Sequence, residues 1–310
     1  MDATGVLFIQ PSHNFIFENI RKAGCDIDTP YIGKTIFLRL IRAVWFKYRL
    51  PFAKIWFNKA IAKYRAETII VSDSIITGKY LIWLRDVFPT ARIVFMYDNM
   101  VGRASHLIPH EIPEGCVDEK WSYDKGDCEK YGMNHSGNFY FEHLRVEKKE
   151  AVYDALFVGR DKGRANYLFD LERQLNEQGL KTYFHIVADR LHKRFNKPYY
   201  QRVLKYGEIC ALLAKSKAIV NIALDGQIGS TFRDMESAFN GIKLITTNEH
   251  IRGYDFYRPE NIFVLNKDNV GTIRMFLEQP YRPLGDDVLE RYTFGEWLKR
   301  VIKTGKAIEG

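Results

Sequence analysis

The sequence predicts an α/β protein made of two Rossmann-like domains. The chain has 310 residues, which is enough for two domains of about 150 residues each. Its composition, 46% hydrophobic and 27% charged, is typical of a folded globular protein. Short apolar segments alternate with segments of helical periodicity along the chain, and this alternation is typical of parallel sheets.

The first half of the chain contains five apolar segments that predict strands. Helical patterns lie between them, with Pro51 in the first turn of one helix and Pro89 just after the end of another. The predicted strands are residues 5–10, 68–72, 91–97, 118–122 and 138–141, and the predicted helices are residues 34–48, 51–64 and 79–87.

The second half shows the same alternation more clearly. Leu168, Leu171 and Leu175 form one apolar stripe of a helix that Gly179 terminates. The predicted strands are residues 155–158, 182–187, 218–223, 243–246 and 262–265, and the predicted helices are residues 166–177, 206–215, 231–240, 270–279 and 295–304. We therefore expect domains at residues 1–147 and 148–290, with residues 291–310 forming a C-terminal helix that packs back on the first domain.

The net charge of +8 is concentrated in one acid-free segment, residues 29–66. Basic residues and large aromatic residues alternate there, which favours peripheral contact with an anionic membrane surface. Two alternatives stay open, a nucleic-acid-binding surface and a pair of core helices with a solvated basic face. The basic residues are Lys34, Arg39, Arg42, Lys47, Arg49, Lys54, Lys59, Lys63 and Arg65.

The compartment is predicted from the cysteines and from apolar segments. Cys25, Cys116, Cys128 and Cys210 form no CxxC pair, so we expect reduced thiols in a cytosolic protein. No apolar run is long enough to span a bilayer, and the start lacks the pattern of a secretion signal. The expected location is the cytoplasm, at the inner face of the cell membrane.

Two loops after predicted strands combine glycines with cations. In the first loop, Gly159 and Gly163 allow close backbone approach, and Arg160, Lys162 and Arg164 can neutralise a diphosphate. Ligands bind at the carboxyl ends of strands in open α/β sheets, and this loop occupies such a position. The alternative is an ordinary polar turn.

The second loop leads into a predicted helix. Gly229, Ser230 and Thr231 precede that helix, and Arg233 lies in its first turn, so free amides and a helix dipole can attract an anion. Glu236 follows one turn later and suits a vicinal diol such as that of ribose. The alternatives are an N-cap without a ligand and a surface glutamate.

Residues 230–245 resemble the donor-site element of GT-B glycosyltransferases, and residues 153–164, 243–248 and 254–257 are similar to capsule and lipopolysaccharide transferases. The resemblance implies two Rossmann-like domains facing each other across a cleft, with Glu236 holding the nucleotide ribose. Many retaining members carry a second glutamate where this chain has Ile228, so stereochemistry stays open. The resemblance also implies a nucleoside-diphosphate sugar as donor, by analogy a UDP-sugar.

In this family the first domain receives the acceptor, so its strand-end residues are candidates for the catalytic base. His13, Asp73 and Asp98 each follow a predicted strand, and Asp98 is favoured because its strand is strongly apolar. Without a DxD-type pair, we expect no metal and no other cofactor. Arg160, Lys162 and Arg233 are then expected to stabilise the leaving diphosphate.

The predicted activity is metal-independent transfer of a hexosyl group to a lipid-linked or polysaccharide acceptor in cell-surface glycan synthesis. An epimerase is disfavoured because Pro11, Ser12, His13 and Asn14 stand where a GxGxxG loop is needed. The alternative is a non-catalytic basic protein that binds nucleic acid or an anionic membrane. Under the glycosyltransferase hypothesis no nucleic acid is expected as a partner.

Overall fold

A computed structural model describes residues 4–11, 14–33, 35–102, 107–189, 191–265 and 270–303. The chain divides into two units. The first unit contains the residues up to Gly137 and the end of the final helix from Lys299, and the second contains Asn138–Leu298. Within the described residues, no helix is both long and apolar enough to cross a membrane.

The division lies at Gly137, whereas the sequence predicted residue 147. The intervening segment belongs to the second unit because its backbone is bonded there. Tyr140 N donates to Tyr292 O at 2.8 Å, and Lys149 N donates to Ala214 O at 2.8 Å. The end of the final helix contacts the first unit, where Arg92 Nη1 donates to Val301 O at 2.8 Å.

The first unit is a six-stranded parallel sheet with helices between the strands. Its elements are β1 (Val6–Ile9), α1 (Phe15–Lys22), β2 (Asp26–Asp28), α2 (Ile36–Lys47), β3 (Thr68–Ser72), α3 (Gly78–Val87), β4 (Arg92–Tyr97), β5 (Glu119–Ser122), α4 (Lys125–Tyr131) and β6 (Asn134–His135). The strand order is β2-β1-β3-β4-β5-β6. The central strands β1, β3 and β4 are almost wholly buried, as expected for a parallel sheet covered on both faces.

Residues 51–64 do not form the predicted helix. They form two 3₁₀ turns, Ala53–Trp56 and Lys59–Lys63. Phe52 has a left-handed backbone with φ of +58°, which an α-helix does not accommodate. Asn58 then separates the two turns, because its side chain accepts from Ala60 N and donates to Asp28 Oδ1 at 2.9 Å.

The second unit contains a five-stranded parallel sheet. Its elements are β7 (Tyr153–Arg160), α5 (Ala165–Glu177), β8 (Thr182–Val187), α6 (Leu191–Asn196), α7 (Tyr206–Leu213), β9 (Ser216–Asn221), α8 (Phe232–Asn240), β10 (Lys243–Thr246), β11 (Ile262–Val264), α9 (Ile273–Glu278), α10 (Asp286–Glu290) and α11 (Phe294–Ile302). The strand order is β11-β10-β9-β7-β8. From β7 the chain passes to β8 on one side and then to β9 on the other, so the topological switch point lies between β7 and β9.

The prediction of an α/β fold with two Rossmann-like domains is confirmed by these two parallel sheets. One predicted strand is wrong. Residues 138–141 form only an isolated bridge between Tyr140 and Thr293, and the sixth strand of the first sheet is β6 instead. The sequence also missed α1, β2, α4, α6 and α10, which have eight residues or fewer and therefore offer only a short pattern.

Candidate functional site

The candidate donor site lies at the carboxyl edge of the second sheet, at the switch point between β7 and β9. At a switch point the loops that follow the two neighbouring strands run in opposite directions and leave the strand ends open. Ligands of open α/β sheets bind in the crevice that results. The loop after β7 comprises residues 161–164, and the loop after β9 comprises residues 222–231. Strand β7 runs through Gly159 and Arg160, so these two residues lie in the strand and not in the loop that the sequence predicted.

Arg164 joins the two loops. Its guanidinium donates to Ile222 O in the second loop and, through Nη2, to Arg160 O at 3.0 Å. Asp161 supports this turn, because it accepts from Ala165 N at 2.7 Å and from Tyr200 Oη at 2.5 Å. Arg164 was counted among the cations of the predicted loop, but its role in joining the two loops was missed, because nothing local in the sequence distinguishes it from Arg160 and Lys162.

Arg160 and Lys162 belong to a different contact from the one predicted. Arg160 Nη1 donates to Ala188 O at 2.9 Å, in the loop after β8. The backbone N–H of Lys162 donates to the Asp189 carboxylate at 3.0 and 3.1 Å. These contacts fasten the β7 loop to the β8 loop, so neither residue is brought to the start of α8.

The loop after β9 is held by side chains from the segment after β10. Asn248 Nδ2 donates to Ile228 O at 3.3 Å, and Thr247 Oγ1 accepts from Ala223 N at 2.9 Å. Tyr254 Oη accepts from Ser230 N at 3.0 Å. Asn248 and Tyr254 lie in segments that carried the family resemblance, and their role as supports of the loop was missed.

The start of α8 is closed by a capping box. Thr231 Oγ1 accepts from the backbone amides of Arg233 and Asp234, while Asp234 Oδ2 accepts from Thr231 N at 2.6 Å. Asn221, the last residue of β9, donates to Thr231 Oγ1 at 2.9 Å and to Asp234 Oδ1 at 2.7 Å.

The amides predicted to face an anion are therefore bonded within the protein at Ser230, Thr231, Arg233 and Asp234. Full burial raises the pKa of Asp234 to about 6, against the hydrogen bonds that it accepts. A carboxylate in this position competes with an incoming phosphate for the helix dipole.

Arg233 and Glu236 form an ion pair one helical turn apart on α8. Arg233 also reaches β7, where Nη2 donates to Val158 O at 3.0 Å. Glu236 is 0% exposed, so it is not the surface residue that the alternative reading assumed. Among the described residues its Oε1 has no hydrogen-bond partner.

An unpartnered carboxylate oxygen in a protein interior is costly, by about 1–3 kcal/mol or more. Such atoms are rare in folded proteins and call for a functional or structural reason. Tyr206 lies near Glu236, and both burial and the Glu236 charge raise the pKa of Tyr206 well above its usual value. The structure therefore brings Arg233 and Glu236 together beside β7, whereas the described contacts of Arg160 and Lys162 lead to the loop after β8.

In the first unit, the structure brings Asp73 and Asp98 together. They follow the neighbouring parallel strands β3 and β4, whose pairing sets Ser72 opposite Met96. Asp98 N donates to Asp73 Oδ1 at 3.1 Å, and Ser72 Oγ donates to Asp98 Oδ2 at 2.5 Å. His13, the third candidate base, lies outside the described residues.

The two carboxyl groups perturb each other. Burial, and then the Asp98 charge, raise the pKa of Asp73 to about 8, and Asp73 is 0% exposed. Desolvation of the Asp98 carboxyl group also raises the pKa of Asp98. Asp98 is an exposed residue, and this exposure limits the rise in its pKa. Two adjacent carboxyl groups that do not both ionise readily can hold one proton between them, as general acid–base catalysis requires.

Metal ligands and other cavities do not point to a different centre. Among the described residues, no group of three or more His, Cys, Asp or Glu side chains could hold a metal ion. All four cysteines are described and are free thiols. A depression of about 300 Å³ lies at the amino ends of β3 and β4, lined by residues 64–67 and 87–91, and none of the predicted site residues lines it.

Comparison with known proteins gave structural similarity only. No family model and no curated protein matches the sequence. The fold is similar to accessory secretory protein 1, 2 and 3 from Streptococcus pneumoniae (TM-score 0.45, 11% identity), covering 86% of this chain and 56% of that one. The chain thus spans little more than half the length of that protein.

Two further solved structures are similar over most of both chains. A protein assigned as a UDP-N-acetylglucosamine 2-epimerase from Listeria monocytogenes has a TM-score of 0.40 and 10% identity, covering 96% of this chain and 94% of that one. The spinosyn forosaminyltransferase SpnP has a TM-score of 0.40 and 12% identity, covering 99% and 96%. At these TM-scores the similarity carries no functional conclusion.

Proposed function

We propose that this protein is a glycosyltransferase that uses a nucleoside-diphosphate sugar. The observation that carries the proposal is the Arg233–Glu236 pair at the switch point of the second sheet. It combines a cation for a diphosphate with a carboxylate for a ribose diol, and one carboxylate oxygen has no partner among the described residues.

Donor binding requires this pair to rearrange, because Glu236 is fully buried. We expect the Arg233 guanidinium to turn from Glu236 to the diphosphate of the donor. Glu236 is then free to accept hydrogen bonds from the two ribose hydroxyls. After the exchange Arg233 is paired with the diphosphate and Glu236 is hydrogen-bonded by the ribose hydroxyls, so the ligand offsets part of the loss of the contact that it breaks.

The chemical step needs a base for the acceptor. A hydroxyl oxygen of the acceptor attacks the anomeric carbon, the bond from that carbon to the diphosphate oxygen breaks, and the nucleoside diphosphate leaves with the electron pair. The proton of the acceptor hydroxyl passes to the Asp73–Asp98 carboxyl pair. Asp98 is the accepting member of the pair, because the pKa of Asp73 is raised to about 8 and Asp73 therefore already holds a proton at neutral pH. Arg233 stabilises the charge that develops on the diphosphate.

The finer assignments rest on the sequence, namely on the family resemblance of residues 153–164, 230–245, 243–248 and 254–257, on the missing DxD-type pair, and on the cysteines and the basic segment 29–66. They are a UDP-sugar as donor, a hexosyl group as the unit transferred, no metal requirement, and a lipid-linked or polysaccharide acceptor in capsule or lipopolysaccharide synthesis. They include a cytoplasmic location at the inner face of the membrane. His13 is retained as an alternative base because it follows β1 in the sequence.

The test is a thermal-shift titration with UDP, GDP, CDP and the corresponding monophosphates, since a ligand that binds only the folded state raises Tm. We expect one diphosphate to stabilise the protein, and Glu236→Gln to abolish that shift. The matched control is Glu278→Gln, an exposed glutamate on α9 that should leave the shift unchanged.

Hydrolysis of a nucleotide-sugar panel then identifies the donor. If no nucleotide stabilises the protein, the donor-site proposal fails. If Glu236→Gln retains the full shift, the ribose role of Glu236 is wrong. Salt-sensitive binding of DNA or RNA without any nucleotide shift would favour the nucleic-acid alternative.

A further inference from the structure

Helix α2 (Ile36–Lys47) is unusual because it is apolar on two opposite faces. None of its 12 residues is buried, although the helix is rich in Ile, Leu, Val, Phe and Trp. A helix that is apolar on all sides normally lies in a protein core or in a membrane. Here the core of the first unit covers α2 on one side, and the described residues leave the other side exposed.

The inner face of α2 packs on the core of the first unit. Ile41, Trp45 and Phe46 are partly buried against that core, and the Phe46 ring lies 5.1 Å from the Tyr31 ring. Arg42 belongs to this face as well, because its Nη1 donates to Ile32 O at 2.8 Å. These contacts anchor the helix, so its outer face is held in a defined orientation.

The outer face is apolar and exposed. Phe37 is 70% exposed and Leu40 is 61% exposed, and they lie one helical turn apart with Val44 on the next turn. We call the exposed apolar side chains of α2 and of the segments just before and after it the α2 surface. Its exposed apolar residues are Ile32, Ile36, Phe37, Leu40, Val44, Tyr48, Phe52 and Ile55.

The exposure of the Phe52 side chain is not explained by a loosely held loop. The residue is 78% exposed, and its left-handed backbone costs a non-glycine residue about 1–2 kcal/mol. Trp45 Nε1 donates to Pro51 O at 2.8 Å and thereby fixes the segment that presents Phe52. A strained backbone that points a phenyl ring into solvent is explained if the ring is covered by a partner.

The charges within the segment that carries this surface all have the same sign, and an acid from outside the segment, Asp86, lies 3.8 Å from Lys54 Nζ. Arg39, Lys47 and Arg49 are exposed beside the apolar side chains, and Lys54 and Lys59 follow in the loop. The sequence has no acidic residue between Asp28 and Glu67. Apolar side chains bordered by cations complement an interface that has an apolar interior and an anionic surface, which describes a bilayer rich in acidic lipids.

We propose that the α2 surface binds the surface of an anionic lipid bilayer, with Phe37, Leu40 and Phe52 inserted at the headgroup boundary and the flanking cations on the lipid phosphates. This inference goes beyond the proposed glycosyl transfer and does not depend on it, since no residue of the donor or carboxyl sites takes part. It names the surface through which a lipid-linked acceptor would be reached.

Two other occupants fit the surface less well. A second copy of this chain in a symmetric dimer would bring the same cations face to face, because both copies use the same patch. A nucleic acid would pair with the cations, but it offers nothing apolar to Ile36, Leu40 and Val44, since single strands are bound through stacking on aromatic rings.

The test is co-flotation of the full chain with vesicles of phosphatidylcholine containing about 30% phosphatidylglycerol, compared with pure phosphatidylcholine. We expect binding to the anionic vesicles that falls as salt is raised. Phe37→Ser with Leu40→Ser should weaken partitioning at least about tenfold, since each side chain loses apolar burial. Arg39→Glu with Lys47→Glu should weaken it about 30-fold or more, from about 1 kcal/mol per cation.

The control variants carry the same changes elsewhere. Phe195→Ser removes a phenyl ring that is 83% exposed in the second unit, and Arg194→Glu with Lys197→Glu reverses two exposed cations there. Both control variants should partition as the unaltered protein does. Circular dichroism and Tm establish that all variants are folded.

Several outcomes would overturn the proposal. They are the absence of binding to anionic vesicles at low salt, equal loss in the control variants, and partitioning that Phe37→Ser with Leu40→Ser leaves intact. A concentration-dependent dimer that this same double variant abolishes would assign the surface to a second copy. Failure of nucleotide binding in the thermal-shift test would leave the vesicle result unaffected, so the two proposals can fail separately.

Discussion

Replacing Asp73 by asparagine should make the protein more stable relative to the unaltered chain as the pH rises. Asp73 is fully buried next to Asp98, and its pKa is raised to about 8 by burial and then by the Asp98 charge. In the unfolded chain an aspartate has a pKa of about 3.9. Between these two values the folded state holds a proton that the unfolded state has released.

The sign and the magnitude follow from proton linkage. A raised carboxyl pKa contributes stability that is fully present below about pH 4 and is lost as the pH rises towards about 8. One proton corresponds to a slope of about 1.4 kcal/mol per pH unit. The asparagine side chain carries no titrating proton, so the Asp73→Asn variant should gain about 2–3 kcal/mol relative to the unaltered protein between about pH 5 and pH 7.

The assay is urea unfolding of both proteins at several pH values between about 5 and 8, with the free energy of unfolding extrapolated to water. Asp86→Asn is the control, because Asp86 is exposed and its ion pair with Lys54 is long, at 3.8 Å. Its stability difference from the unaltered protein should not change with pH. Parallel pH profiles for the Asp73→Asn variant and the unaltered protein would refute the coupled carboxyl pair.

Three further predictions concern the second unit. Arg233→Met should lower the free energy of unfolding by about 3 kcal/mol, since it leaves the buried Glu236 carboxylate unpaired. The control Arg173→Met, at an ion pair on the surface, should lower it by less than about 1 kcal/mol. Equal losses in urea unfolding would argue against a buried pair. Thr231→Ala should cost about 1 kcal/mol through loss of the α8 cap and Thr231→Ser little, and an equal loss in both variants would contradict the capping role. Tyr200→Phe should cost about 1.5–3 kcal/mol at neutral pH by removing the 2.5 Å hydrogen bond to Asp161. Burial raises the pKa of Asp161, but the bonds from Tyr200 and Ala165 N outweigh it and hold the pKa low, so this stability is lost on acidification and the two unfolding curves should converge at low pH. A difference that stays constant down to acid pH would exclude that origin.

Local patterns in the sequence were sufficient to predict most of the sheet. Strands β3, β8 and β10 have the predicted bounds, because runs of buried apolar residues between turn residues are a short-range signal. The same signal led to an error at residues 138–141, where the apolar side chains pack as aromatic contacts in place of a strand. Phe139, for example, lies 4.6 Å from the Trp297 ring.

The candidate site residues were also chosen from local patterns in the sequence, and their chemical roles stay predictions. Asp73 and Asp98 were chosen because each follows a strand, and Arg233 and Glu236 because they follow a small-residue loop. Local order could not reveal that Arg233 pairs with Glu236 and reaches Val158, or that Arg160 turns towards the loop after β8. It could not reveal the burial of Glu236 either, because part of the cover of α8 comes from Tyr140, which is distant in the sequence and packs on Phe232 and Phe239.

What the sequence determined by itself is therefore most of the strands, their following loops and the polar residues at their ends. Only the tertiary structure decided which of those residues meet. The order β2-β1-β3-β4-β5-β6 puts Asp73 beside Asp98, and the order β11-β10-β9-β7-β8 puts the loops after β7 and β9 at the switch point. The physical reason is range: side-chain periodicity and turn preferences act over a few residues, whereas strand order depends on packing between segments far apart in the chain.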